Sequence, residues 1–322
     1  MKPSLKTIPP VALVVIAVFL WSTGGLFIKL TALDAYQVTF FRSLLAGITV
    51  FILTRKAGLR INAFGIMCSV IYATLLFLFV WATKHTTAAN AIFLQYTAPV
   101  YILILAPFVI GEKFHFRDLV TVIFCIGGMS LFFVGDLTIG DYQGNIAALG
   151  SGIFLGLYIM LLKHPKAIGS AGVKEKESGG TSDLETISST PQLPNTSTAL
   201  NPVITVIYGN LLLAFLTLPS GIASIPTITP LDIAAVAFLG IIQIGVAYIL
   251  FIKGVHGGTR PLDASIIGFI EPLLNPVWVF IFVGERPSQW ALLGGTIIIV
   301  TVVAHTLIQY RNRPAGRIAA SP

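Results

Sequence analysis

The chain repeats one pattern ten times: a run of about twenty apolar residues closed by a polar or charged connection. The runs lie at about 11–30, 36–54, 63–83, 88–110, 117–135, 143–162, 202–219, 231–252, 262–283 and 289–309. A helix of that length crosses the hydrocarbon core of a bilayer, where no water is present to satisfy backbone groups. Only 10% of the residues are charged, against about 25% in soluble domains, and the mean hydropathy is +0.89. A soluble fold is excluded. The expected fold is an all-α integral membrane protein of ten transmembrane helices. The first run follows Lys2 and Lys6 as a signal peptide would, but no small-x-small cleavage pattern follows it. Lys29 and Asp34 close it as they would a span, so it is read as part of the mature chain. Cys68 and Cys125 both fall inside runs and read as small buried hydrophobes.

Charge placement sets the orientation. With a cytoplasmic N-terminus and ten spans, the cytoplasmic segments hold all of the 20 Lys and Arg residues except Lys29, Arg42, Lys84 and Arg286. Both termini are then cytoplasmic, and the net charge of +7 is a positive-inside signal with no separate support for nucleic acid. One connection is long. Residues 163–201 run through Lys174, Glu175, Lys176 and Glu177 into Ser-, Thr-, Pro- and Gly-rich sequence without an apolar period, as expected of a solvated linker.

The runs also repeat as sets. Pro99 and Gly111-Glu112-Lys113 return as Pro272 and Gly284-Glu285-Arg286 at one constant offset, which Ala91 and Ala264 share. Gly25-Leu26-Phe27-Ile28 is echoed by Gly156-Leu157-Tyr158-Ile159 at an offset shorter by about the length of the linker. Two five-span repeats follow, residues 1–137 and 138–310, with the linker inserted in the second and a cytoplasmic tail at 311–322. Five is odd, so the second repeat crosses the membrane inverted, as in alternating-access carriers whose substrate sits between the halves near mid-depth.

The pattern resembles the drug/metabolite transporter superfamily, in its form with two EamA domains. The residues that carry the likeness are Trp21-Ser-Thr-Gly-Gly, Phe40-Phe41-Arg42, Pro99 to Gly111-Glu112-Lys113, and Glu271-Pro272 to Gly284-Glu285-Arg286. The resemblance covers nearly the whole chain apart from the linker and the tail. It implies ten helices, with spans one to four and six to nine around a central cavity and spans five and ten outside. It also implies export or exchange of small organic solutes such as amino acids across a bacterial-type cytoplasmic membrane.

Residues 271–278, Glu-Pro-Leu-Leu-Asn-Pro-Val-Trp, stand mid-span, where a carboxylate costs about 3 kcal/mol on insertion scales. Pro272 and Pro276 are expected to kink the helix and free carbonyls beside Glu271, which suits a binding site better than a lipid-facing wall. Glu271 is read as a proton carrier or as the counter-charge for a substrate amine, against a bland role as a hydrogen-bonded packing element. Its counterpart in the first repeat is Ala98, so the carboxylate is not a repeat element. Arg42, inside the second span, must snorkel, pair or face water; facing the cavity, it binds an anionic group or pairs with Glu271.

Asn275, Asn90, Gln95, Tyr96, Gln243 and Tyr248 are further candidate liners, Pro99 shares a helical face with Gln95, and Asn210 adds an amide. Trp21 and Trp278 lie inside spans and read equally as substrate wall or packing, while Trp81 and Trp290 read as interface anchors. Glu112 and Glu285 are assigned to capping and local ion pairing where Gly111 and Gly284 stop a helix. Gly152, Gly156 and the glycine pairs 24–25, 127–128 and 294–295 are read as close helix contacts. His305 is read as packing, and none of the five His has a metal-ligand neighbour, so no metal or cofactor is expected. The expected function is a secondary transporter, not an enzyme, with a small-molecule substrate, protons as a coupling ion and lipid as surroundings; the oligomeric state stays open. The rivals are an intramembrane enzyme and a non-transporting lipid-handling or scaffold protein.

Overall fold

The computed structural model describes residues 8–55, 59–131, 134, 142–164, 202–283 and 288–311, without the side chains of residues 88, 89, 275, 276, 279, 283 and 310. Every regular element among the described residues is helical. In chain order these are α1 (Pro10–Trp21), α2 (Gly24–Leu30), α3 (Ala35–Thr54), α4 (Ala63–His85), α5 (Ala88–Gln95), α6 (Ala98–Val109), α7 (Phe116–Ser130) and α8 (Tyr142–Leu161). There follow α9 (Val203–Leu216), α10 (Leu218–Ser224), α11 (Pro230–Ala237), a π-helical stretch Phe238–Val246, α12 (Ala247–His256), α13 (Pro261–Ile267), α14 (Ile270–Val283) and α15 (Gln289–Arg311).

Among the described residues seven helices are long and apolar enough to span a membrane. An eighth forms if Val203–Leu216 and Leu218–Thr227, bent by 64°, count as one. Where the sequence places the fifth span lies the 15-residue α7, and where it places the ninth lie α13 and α14; neither is among the helices long enough to cross on their own. The linker from residue 165 onward, Gly284-Glu285-Arg286 and the tail from residue 312 lie outside the described residues.

Local chemistry sets the ends. Asp34 caps α3 in a reciprocal box with Gln37, Asn62 caps α4, and Thr229 with Asp232 caps α11. Phe108, Phe116 and Phe215 point outward and are strongly exposed, whereas Arg42, Asn210 and Glu271 are buried. Apolar residues outside and polar ones inside is the distribution a bilayer solvent requires.

The halves are packed against each other rather than side by side. α4 packs on α8 as α1 packs on α12; α3 packs on the π-helical stretch as α4 packs on α9; α3 meets α9 and α7 meets α15. This pairing is unchanged when the halves are exchanged, as expected of two repeats related by a two-fold axis, with α7 and α15 as an outer pair. Glycine allows the closest approaches. A Cβ on Gly152 would stand 2.7 Å from the Gln95 carbonyl oxygen, and one on Gly128 would stand 3.0 Å from that of Gly294.

Candidate functional site

Two of the spans are broken at corresponding places. The fourth changes from α5 to α6 at Tyr96–Thr97, and the ninth changes from α13 to α14 at Gly268–Phe269. On the repeat register that pairs Pro99 with Pro272, Tyr96 corresponds to Phe269. The break in the ninth span falls one turn ahead of Pro272, where the missing N–H and the ring disturb the Gly268 carbonyl, as expected of a proline kink. Pro272 is the third residue of α14 and Pro99 the second of α6. First-turn N–H groups have no intrahelical partner, so proline starts the half-helix after the break at little cost.

The two breaks touch. The Tyr96 hydroxyl donates to Glu271 Oε2 at 2.7 Å, and the Tyr96 and Phe269 rings lie 5.5 Å apart. Beside them is a narrow cleft of about 30 Å³. Trp21, Arg42, Gln95, Tyr96, Gln243, Tyr248 and Glu271 line it, and Leu75, Leu76, Phe79, Leu155 and Ile244 form its apolar wall. Seven of the sequence-derived candidates meet in this one cleft.

Its polar groups are incompletely satisfied. Arg42 is fully buried, yet only Nη2 has a partner, the Leu76 carbonyl at a long 3.4 Å. Nε and Nη1 have none. Trp21 Nε1 and Gln243 Oε1 are buried without partners as well. The expected Arg42–Glu271 pair does not form, since no carboxylate lies within 4.0 Å of the guanidinium among the described residues. The separation leaves a cation and a carboxyl group on one cleft, each available to a third party. Trp21 packs against Tyr248 and Phe251, with ring centroids 4.7 Å away in both cases. Gln95 is anchored, its Nε2 donating to Ser151 Oγ at 2.7 Å.

Other candidates lie elsewhere. Asn90 Nδ2 donates to Thr86 Oγ1 at 3.3 Å near the start of α5 and does not line the cleft. Pro99 is buried but absent from the lining, because the break at Tyr96–Thr97 ends the helical face it was expected to share with Gln95. Asn210 donates to Tyr72 Oη at 3.2 Å, and Trp278 Nε1 to Ser22 Oγ at 2.9 Å. The Asn275 side chain and Glu285 lie outside the described residues.

Sequence reasoning missed a second polar cluster. Arg260, just before α13, bonds Glu112 Oε1 through Nε and Asp118 Oδ2 through Nη2 at 2.7 Å. Glu112 thus pairs with the other half of the chain and not within its own loop. His305 Nε2 lies 2.9 Å from Asp263 Oδ1, and its Nδ1 lies 3.2 Å from Thr121 Oγ1, so this histidine is hydrogen-bonded rather than packing. Burial would lower the Arg260 guanidinium, but Asp263, Asp118 and Glu112 outweigh it and hold it above its ordinary value. The partners are far apart in sequence, and no spacing signal announces them.

The EamA-like transporter family profile matches residues 8–134 and 190–307. The chain is 28% identical over 167 residues to human solute carrier family 35 member G1, a match covering 46% of each protein, less than half the length of that relative. It is 24% identical over 319 residues to an uncharacterized transporter of Archaeoglobus fulgidus, covering 93% of this chain and 98% of that one. A solved crystal structure superposes with a TM-score of 0.70 at 17% identity over 94% of this chain and 98% of the other, a likeness of fold alone. Two profile matches that together take in most of the chain, on a helical membrane fold, settle its kinship: the chain belongs to the EamA-like transporter family, membrane transporters of small solutes.

Proposed function

We propose that the protein is a secondary transporter that carries small zwitterionic metabolites, amino acids or close relatives, by alternating access between the two halves. The observation that carries this reading is the meeting of two broken spans, at matched positions of the halves, on a cleft with unsatisfied polar groups. Broken helices at corresponding places mark the substrate site in inverted-repeat carriers. Unpartnered buried donors are costly, and a substrate that satisfies them recovers that cost on binding. The Arg42 and Trp21 N–H groups suit a carboxylate. Glu271, with one oxygen held by Tyr96, and Gln243 Oε1 suit an ammonium group. The leucine, isoleucine and phenylalanine wall suits an apolar body.

Transport in the outward direction, a bacterial-type cytoplasmic membrane, cytoplasmic termini and protons as the coupling ion complete the proposal. The positive-inside distribution supports the orientation, and a carboxyl group in the cleft supports the coupling.

The test is thermal stabilisation of the purified protein by a metabolite library, followed by flux of the hits in proteoliposomes. Zwitterions are expected to stabilise it, by roughly 2.7 kcal/mol at a hundredfold excess over Kd. The same compounds lacking either the carboxylate or the amine are not. Glu271→Gln is expected to abolish the response to amines and to make any remaining flux independent of pH. Stabilisation by uncharged solutes alone, unchanged in Glu271→Gln, would remove the zwitterion reading.

A further inference from the structure

At opposite ends of the Pro230–His256 span the halves are joined in two different ways. At one end Asp232 is fixed. Its Oδ1 accepts from Thr31 Oγ1 at 2.7 Å and Ala32 N at 2.8 Å, and its Oδ2 from Thr229 Oγ1 at 2.7 Å and Thr229 N at 3.0 Å. These are short bonds to a buried carboxylate, two from the first half and two from its own helix cap. At the other end the junction is a set of ion pairs. Arg260, from the second half, holds Glu112 and Asp118 from the first. With the Gln309 amide oriented to satisfy both neighbours, its oxygen accepts from Arg260 Nη1 at 2.8 Å and Arg117 Nη2 at 3.1 Å.

Three features set the second junction apart. Its Arg260–Glu112 pair is partly hydrated, the side chains being 27% and 20% exposed, so water can replace that bond as it breaks, while Asp118 stays buried. The two positive-φ glycines among the described residues, Gly111 at 67° and Gly258 at 121°, stand beside the two partners, one in each half. Neither has a neighbour that would meet a Cβ, so both connections have room to turn. The junction also lies outside the cleft, whose lining includes none of its members.

We propose that Arg260 is a releasable latch. Its bonds to Glu112 and Asp118 hold this end of the bundle shut, and their release, with rotation at Gly111 and Gly258, opens the cleft to this face of the membrane while the Asp232 end stays fastened. The inference rests on the alternating-access reading, and it assigns a gate to a cluster that the substrate does not touch.

Accessibility of the cleft tests it without any known substrate. Leu76→Cys places a thiol on the cleft wall, and Lys113→Cys, in a separate preparation, marks which vesicle polarity exposes the latch face. Both native cysteines are buried. Glu112→Gln weakens the latch and leaves Asp118 paired with Arg260, so folding is spared the orphaned carboxylate that Arg260→Gln would create. The expected result is a several-fold faster reaction of Leu76→Cys with a membrane-impermeant maleimide from the latch face in Glu112→Gln. A second variant closes the same gate: Glu112→Cys with Arg260→Cys, in Asp118→Asn, joined by a short bifunctional thiol reagent, is expected to abolish labelling from that face and restore it when the linker is cleaved. Labelling from the latch face that ignores both Glu112→Gln and the cross-link would overturn the latch and leave the carrier reading standing. A cleft thiol that reacts from neither face in any variant, the parent included, would overturn the latch and the alternating-access reading together.

Discussion

Arg42 decides more than any other single residue. A guanidinium is never neutral under ordinary conditions, and the residue is fully buried with two of its three nitrogens unpartnered. Snorkelling, the bland outcome for a cation six or so residues into a span, is ruled out by that burial. A lysine keeps the charge and loses the planar fork, so Arg42→Lys is expected to weaken binding of a carboxylate-bearing ligand about tenfold. Arg42→Gln should weaken it about a hundredfold, in keeping with roughly 1.5–3 kcal/mol for a charged hydrogen bond. Titration of ligand binding by the two variants reads this, and equal affinity in both would place the anion elsewhere. Arg42 and Glu271 were legible in the sequence because charge in an apolar run has no cheap explanation. Arg260 and His305 were not. A cation beside a connection looks like an orientation signal, and a lone histidine has no periodicity; their partners are supplied only by the fold.

At the scale of elements, the spans were legible, and so was the interruption of the ninth through Pro272, whereas that of the fourth was not. Apolar length shows where a helix crosses; the breaks at Tyr96–Thr97 and Gly268–Phe269 each fall within one turn ahead of a proline, Pro99 or Pro272, whose missing N–H leaves the carbonyl of Gln95 or Gly268 without its helical partner. Packing from neighbours accommodates them. Gly152 of α8 lies against the freed carbonyl of Gln95, and Gly268 lies where a Cβ would meet Tyr96 Cε1 at 2.7 Å. Gly152→Ala is expected to destabilise the protein by about 1–3 kcal/mol, the usual cost of overpacking a tight contact. Because Gln95 lines the cleft, it should also weaken ligand binding, whereas Gly127→Ala, at a position open to added volume, should change neither. Thermal unfolding with and without ligand separates the two effects. A Gly152→Ala protein as stable as the parent would mean that the break does not depend on this packing.

For the whole molecule, the motif repeat is read as two halves, and the pairing α4–α8, α1–α12 and α3–α9 joins them in one shared core. Each helix that faces the cleft buries its inner surface on the other half, so a single half would leave Arg42 or Glu271 in contact with lipid. In hydrocarbon that exposure costs several kcal/mol per charge. The long linker interrupts no described contact, since it leaves the second half after α8 and returns before α9. A chain cut within 165–201 should therefore reassemble. Co-expressed fragments 1–180 and 181–322 are expected to purify together through a tag on either one and to unfold at nearly the temperature of the intact chain. Residues 1–137 alone should yield no cooperative transition. The contrast is informative because the first cut separates spans six and seven, which lie within one repeat, while the second falls on the repeat boundary itself. If the 1–137 fragment folded alone and the 1–180 and 181–322 fragments failed to associate, the repeats would be independent domains. The cleft between them would then be a docking surface rather than the shared core of a carrier.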